Sequence, residues 1–252
     1  MVFSVAHASE PVTITVFEDH DRYVQASDSY GLSWRLFELG AKHQGIDLVP
    51  IESSWKASMK RLHAERIDMV FAALKTEERQ VWANFSLPLT NEGSGIFTRF
   101  DNPVKTFEQI DLSTSSIGVS SNSVQEGLAK ELGFANIYST VQRPQLYEML
   151  RAGRVDYLFF GKSIAAYYCV YFDPSRSRNC MKQVGELYFK NNVYAIALQK
   201  NSRASAILEQ INIGIHAISE TDSVKQLFVD YEKPANAYPN WLAHVRQTLS
   251  QK

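Results

Sequence analysis

Residues 55–79, WKASMKRLHAERIDMVFAALKTEER, leave little freedom in how the rest of the chain is arranged. Met59, Leu62, Arg66 and Ile67 fall at helical spacing, with Lys60, Arg61, His63 and Glu65 on the polar side. Asp68 opens the run Met69-Val70-Phe71-Ala72-Ala73-Leu74, which is apolar without alternation, as a strand covered on both faces is. The turn Lys75-Thr76-Glu77-Glu78 then delivers Arg79 to the carboxyl end of that strand. Open α/β sheets bind ligands at that edge. A planar guanidinium there suits a bidentate grip on a carboxylate.

The flanking sequence repeats the alternation. Residues 12–17 are β-branched and alternating, a first strand. Residues 31–42 carry apolar side chains at 32, 36, 39 and 41 and predict a helix, and residues 45–51 predict a second strand. Strand, helix, strand, helix, strand is the α/β signature. Further on, residues 116–119 predict a strand running into a helix after Asn122-Ser123-Val124. Residues 145–161 repeat the order helix, small turn, aspartate (Asp156), apolar strand, ending at Gly161 and Lys162. Residues 193–198 alternate as a strand, and residues 205–218 and 223–231 predict helices.

At 252 residues, with 45% hydrophobic and 21% charged residues, the chain has length for a core or for two lobes. A net charge of −1 with interspersed signs gives no electrostatic case for nucleic acid or an anionic membrane. No apolar run reaches the ~20 residues that span a bilayer. Glu18-Asp19-His20-Asp21 holds metal-ligand side chains, but successive loop residues seldom converge on one ion without distant partners, so the loop reads as a pocket rim. No metal or cofactor site is predicted. Ala6-His7-Ala8 has the A-x-A form of a signal-peptidase site, with a meaningless N-terminus as the alternative. Cys169 and Cys180 either close one disulfide or remain two buried thiols.

W-x(6)-L-x(4)-I-D, an apolar strand and T-E-x-R, in this order, resemble the family 3 periplasmic solute-binding proteins, the amino-acid receptors of ABC importers. The segment 82–89 resembles the family's V-x-F-S-x-P-Y, and 145–161 its A-L-x-x-G-R-V-D stretch. The likeness covers residues 12–232 and leaves 232–252 as an extension over the surface. It implies a two-lobed type II periplasmic-binding-protein fold, α/β, each lobe a mixed, mostly parallel sheet flanked by helices. Lobe 1 takes residues 9–96 and 193–252, lobe 2 residues 97–192, with hinge strands crossing at 94–99 and 191–198. The resemblance implies a periplasmic monomer that closes on a small carboxylate-bearing solute and serves an ABC permease or a sensor. It places Asp19, Tyr23, Trp55, Ala73, Leu74, Arg79, Asn122, Ser123, Val124 and Lys162 at the ligand.

The chain departs from the family in three places. Lys162 stands where members usually have an aspartate for the ligand's ammonium. Ala72, Ala73 and Leu74 replace ligating serines or threonines, and Asn122-Ser123-Val124 replaces G-T-T. Arg79 and Lys162 together favour dicarboxylates, keto acids or acidic amino acids. Alternatively, Lys162 pairs with Glu18, Asp19 or Asp21. Two rival functions share the fold: a dehydratase using Glu18 or Asp19 as general acid, and a ligand-sensing receptor.

Overall fold

A computed structural model describes residues 11–250 apart from residue 27 and residues 172–179. The A-x-A stretch therefore lies outside the described residues. The first parallel unit joins β1 (Val12–Val16) to β2 (Leu48–Glu52) and β3 (Met69–Leu74), with α1 (His20–Ala26), α2 (Asp28–His43) and α3 (Trp55–His63) in the connections. Register is set at Val12↔Leu48 and Ile14↔Met69. The helix predicted at 31–42 is longer at both ends, and the second strand starts later because Gly45 turns the chain at φ 66°.

The short α4 (Glu77–Gln80) and β4 (Ala83–Phe85) lead to β5 (Asn91–Arg99). A second parallel unit follows: β6 (Ser116–Ser120), α5 (Val124–Glu131), β7 (Asn136–Thr140), α6 (Arg143–Arg151) and β8 (Tyr157–Gly161). Then come α7 (Lys162–Tyr171), β9 (Met181–Leu198), α8 (Ser202–Ile218), α9 (Asp222–Asp230) and α10 (Ala237–Ser250). Among the described residues the strands make one mixed sheet, ordered β2-β1-β3-β9-β5-β8-β6-β7, with β4 also on β9. The 18-residue β9 spans both halves. It pairs antiparallel with β5 from Met181 to Asn192, and from Val193 onward with β3 and β4. Its first half escaped the sequence reading because polar residues interrupt the alternation there.

The repeated aspartate has one physical role in both halves. Asp68 accepts from the Thr13 backbone N–H at 2.8 Å and the Thr13 hydroxyl at 2.9 Å, and pairs with Arg203. Asp156 accepts from the Ser116 backbone N–H at 2.8 Å and its hydroxyl at 2.7 Å. Each aspartate pins the start of one parallel strand to its neighbour and satisfies donors that the ladder leaves unpaired there.

The largest core packs the first sheet half against α2, α8, α9 and α10 and continues into α6, β8 and α7 of the second half, while Ile96, Ile117, Val119, Phe134 and Phe159 build a separate core under that half. Helices α2 and α8 cross at two glycines. A Cβ on Gly214 would lie 2.0 Å from the Gly40 carbonyl oxygen, so this close approach requires glycine. Within the surface extension, residues 237–250 form a docked helix. Helix α10 buries Trp241 and Val245, and the Trp241 indole donates to the Pro88 carbonyl at 2.8 Å. Cys169 and Cys180 are bonded, tying α7 to the start of β9 with Cα atoms 5.2 Å apart.

Candidate functional site

The carboxyl ends of β1, β3, β6 and β8 converge on a cavity of about 70 Å³. That is small beside the ~300–1,000 Å³ of sites for drug-sized ligands. One wall is aromatic. Phe17 follows β1 and stacks on Tyr30 of α2, ring centroids 4.8 Å apart, while Tyr23 of α1 stacks on Tyr167 of α7 at 3.7 Å. The Tyr30 hydroxyl meets His20 Nδ1 at 2.8 Å and accepts from the Phe17 N–H at 3.2 Å. Burial drives the Tyr23 and Tyr30 hydroxyls well above their ordinary range, so both stay neutral.

Arg79 enters from α4, whose start is capped by the Thr76 hydroxyl accepting from the Arg79 N–H at 3.2 Å. Its guanidinium lies over the Trp55 ring at 4.8 Å and donates to the Leu74 carbonyl at 2.7 Å. The residue is 8% exposed, and burial pushes its pKa down to about 10, against a small opposing effect of Glu78. Among the described residues it forms no ion pair.

Of the sequence-predicted ligand residues, Tyr23, Trp55, Leu74, Arg79, Ser123 and Val124 line this cavity. Ser123 caps α5, its hydroxyl accepting from the Glu126 N–H at 3.2 Å. Four residues do not line it. Asn122 lies at the outer mouth, at φ 60°, where its carbonyl accepts from the Trp55 indole at 3.0 Å and so bridges α3 to the second half. Asp19 lies beside Tyr167, whose hydroxyl burial and then the Asp19 carboxylate push up to about 12.

Ala73 faces the core with Trp55 and Leu62, and Ala72 lines the cavity instead. The cause is a register shift between Val70 and Ala73 against β9, with Ala72 in the left-handed region at φ 62°. The bulge rotates the last turn of strand and re-aims its side chains. Lys162 is exposed, because β8 ends at buried Gly161 and the chain turns outward into α7. It lines no part of the cavity and forms no ion pair with Glu18, Asp19 or Asp21 among the described residues. Both expectations for it are therefore corrected. Glu18, a candidate general acid, is exposed and also outside the cavity.

Two charged residues that sequence reasoning missed do line it. Arg143, the first residue of α6, is 9% exposed and lies over the Phe17 ring at 3.8 Å. Glu92 on β5 accepts from the Gly93 N–H at 3.1 Å, the Ser163 N–H at 3.3 Å and the Ser163 hydroxyl. A sequence signal for Arg143 existed: Arg143-Pro144 marks a helix start, the end where a cation opposes the macrodipole. Glu92 left none. Among the described residues, no group of three or more His, Cys, Asp or Glu side chains could hold a metal, and no helix is long and apolar enough to cross a membrane.

The family model for bacterial extracellular solute-binding proteins, family 3, matches residues 20–233. A curated relative, the probable histidine-binding protein of Campylobacter jejuni, is 28% identical over 118 residues. That match covers 46% of this chain and 46% of the relative, so it spans about half the length of either. The arginine-, lysine-, histidine-binding protein ArtJ of Geobacillus stearothermophilus superposes with a TM-score of 0.74 at 18% identity, covering 90% of this chain and 98% of ArtJ. An ancestral arginine-binding protein bound to glutamine gives 0.72 at 21% identity, covering 89% and 99%. At such identities the structures establish the fold, a two-lobed type II binding-protein architecture.

Proposed function

Because the chain belongs to the bacterial extracellular solute-binding proteins, family 3, we propose that its cleft captures a small amino acid or related organic acid by the carboxylate. The observation that carries this reading is Arg79: a buried guanidinium at the cavity, with one N–H on Leu74 and no counter-ion among the described residues. A carboxylate would complete its fork of donors. The amino-acid-binding relatives point to the same class of solute. The ligand sits between lobe 1, residues 9–96 and 193–252, and lobe 2, residues 97–192. The change of β9's partner between Asn192 and Val193 supports that division. The Trp55–Asn122 bond supports a closed arrangement, as a latch across the mouth. In this reading the protein works outside the cytoplasm and hands its cargo to a membrane permease.

The test is a thermal-shift and calorimetric screen of purified protein against amino acids, keto acids and dicarboxylates. A ligand at about 100 times its Kd adds ~2.7 kcal/mol of stability when it binds the folded state alone. Binding confined to carboxylate-bearing compounds, and lost on esterifying the carboxylate, is the expected result. Equal binding of the ester refutes the role given to Arg79.

A further inference from the structure

Resting on that reading, we infer that the preferred solute is an acidic amino acid, with Arg143 holding its second carboxylate and Glu92 its ammonium. Arg143 is more than nine-tenths buried and lines the same cavity as Arg79. Its guanidinium covers one face of Phe17, yet among the described residues it has no hydrogen bond and no ion pair. The hydroxyls of Tyr23, Tyr30 and Tyr168, which its charge reaches, are each pushed upward by burial and stay neutral, so they offer it no counter-charge. A buried cation in that state is costly unless an anion reaches it. Its place at the start of α6 adds to the cost, since the positive end of the helix disfavours a cation.

Arg79 and Arg143 enter from different halves. Arg79 belongs to the unit that follows β3 and is backed by Trp55, whereas Arg143 belongs to α6 and is backed by Phe17. One carboxylate on each is the simplest way to satisfy both. The third charge at the cavity is the Glu92 carboxylate, held by Ser163 and the Gly93 N–H. A Cβ added to Gly161 would lie 3.7 Å from the Glu92 carboxyl carbon. The hinge strand thus brings a carboxylate to the end of β8, where the neighbouring Lys162 points away. Two cations and one anion mirror the charges of an acidic amino acid: two carboxylates and one ammonium. The small cavity fits a solute of that size better than one with a long side chain.

Calorimetry with L-glutamate, L-aspartate, L-glutamine, L-arginine and the amine-free glutarate tests this. Wild-type protein should bind L-glutamate or L-aspartate roughly 10- to 100-fold tighter than L-glutamine. Arg143→Gln should erase that preference, and Arg143→Lys should restore part of it. Glu92→Gln should bring glutarate level with L-glutamate. If L-glutamine or L-arginine binds the wild type as tightly as the acids, the inference is overturned. The carboxylate-binding reading then survives, since it needs only Arg79. If no carboxylate binds, both fall together. Circular dichroism checks each variant's fold, and where a variant does not fold the wild-type panel alone decides.

Discussion

Replacing Arg79 by methionine separates what this side chain does for the ligand from what it does for the fold. The guanidinium is pushed by burial from its ordinary, higher value down to about 10, which corresponds to a cost on the order of 3 kcal/mol for keeping the charge in the cavity. Below pH 10 both folded and unfolded chains carry the proton, so that cost is fully present at neutral pH. It is relieved only as pH rises above about 10 towards the unfolded chain's higher value, where the folded state releases the proton first. Two contacts oppose it: the charge-assisted bond to the Leu74 carbonyl, ~1.5–3 kcal/mol, and the Trp55 stack, ~0.5–2 kcal/mol. The opposing contributions nearly cancel. Arg79→Met should therefore melt within about 4 °C of wild type, while carboxylate affinity falls ~100-fold or more. Differential scanning fluorimetry with and without ligand, followed by calorimetry, reads both quantities. A fall in Tm beyond ~10 °C with affinity unchanged would refute the reasoning, because Arg79 would then be a structural tie.

Other perturbations reach the scaffold. Asp68→Ala strands the Thr13 N–H and removes the ion pair between Asp68 and Arg203, and urea titration should show a loss of about 3 kcal/mol. The Cys169→Ser, Cys180→Ser pair opens a cross-link between residues 11 apart, for which chain entropy gives about 3 kcal/mol; reductant should then leave the melting curve of the variant unmoved. Trp241→Ala should cost ~3–5 kcal/mol by scanning calorimetry, since it removes a buried indole and its bond to Pro88. His20 is held below its ordinary 6.5 by burial, against Asp21 and Glu52. The unfolded chain takes up that proton first, so stability should fall as pH drops through 6.5, and His20→Gln should flatten that limb of a Tm–pH profile.

The α/β order was legible in the sequence because β3 and β8 are continuous apolar runs, each announced by an aspartate whose partner, Thr13 or Ser116, lies on a neighbouring strand. Arg79 was legible because its turn and strand are contiguous. The rest depended on information that no local window holds. The bulge that exchanges Ala72 for Ala73 has no glycine to announce it. Whether 161 or 162 faces inward turns on where β8 stops and α7 begins, and a one-residue difference moved the expected cation outside. Arg143 and Glu92 reach the cavity from elements far apart in sequence, so their convergence belongs to the topology. The α10 helix was missed although Tyr238, Trp241, Leu242, Val245 and Leu249 fall at helical spacing; it lies beyond the end of the family likeness, where only an extension was expected.

The long β9 belongs to both halves of the sheet, and its pairing with β5 is irregular at Gly93, Ser94 and Ile96. Two ribbons bonded side by side resist stretching and shear, because either would break a whole row of bonds at once. Torsion is the soft mode, since it distributes a small rotation over many peptide units. The irregular stretch has the fewest regular bonds to hold it and would take most of that rotation. Glu92 sits at its edge. Any turning of one half against the other would therefore swing this carboxylate relative to Arg79, so the same ribbon that sets the angle between the halves also sets the spacing of the charges between them.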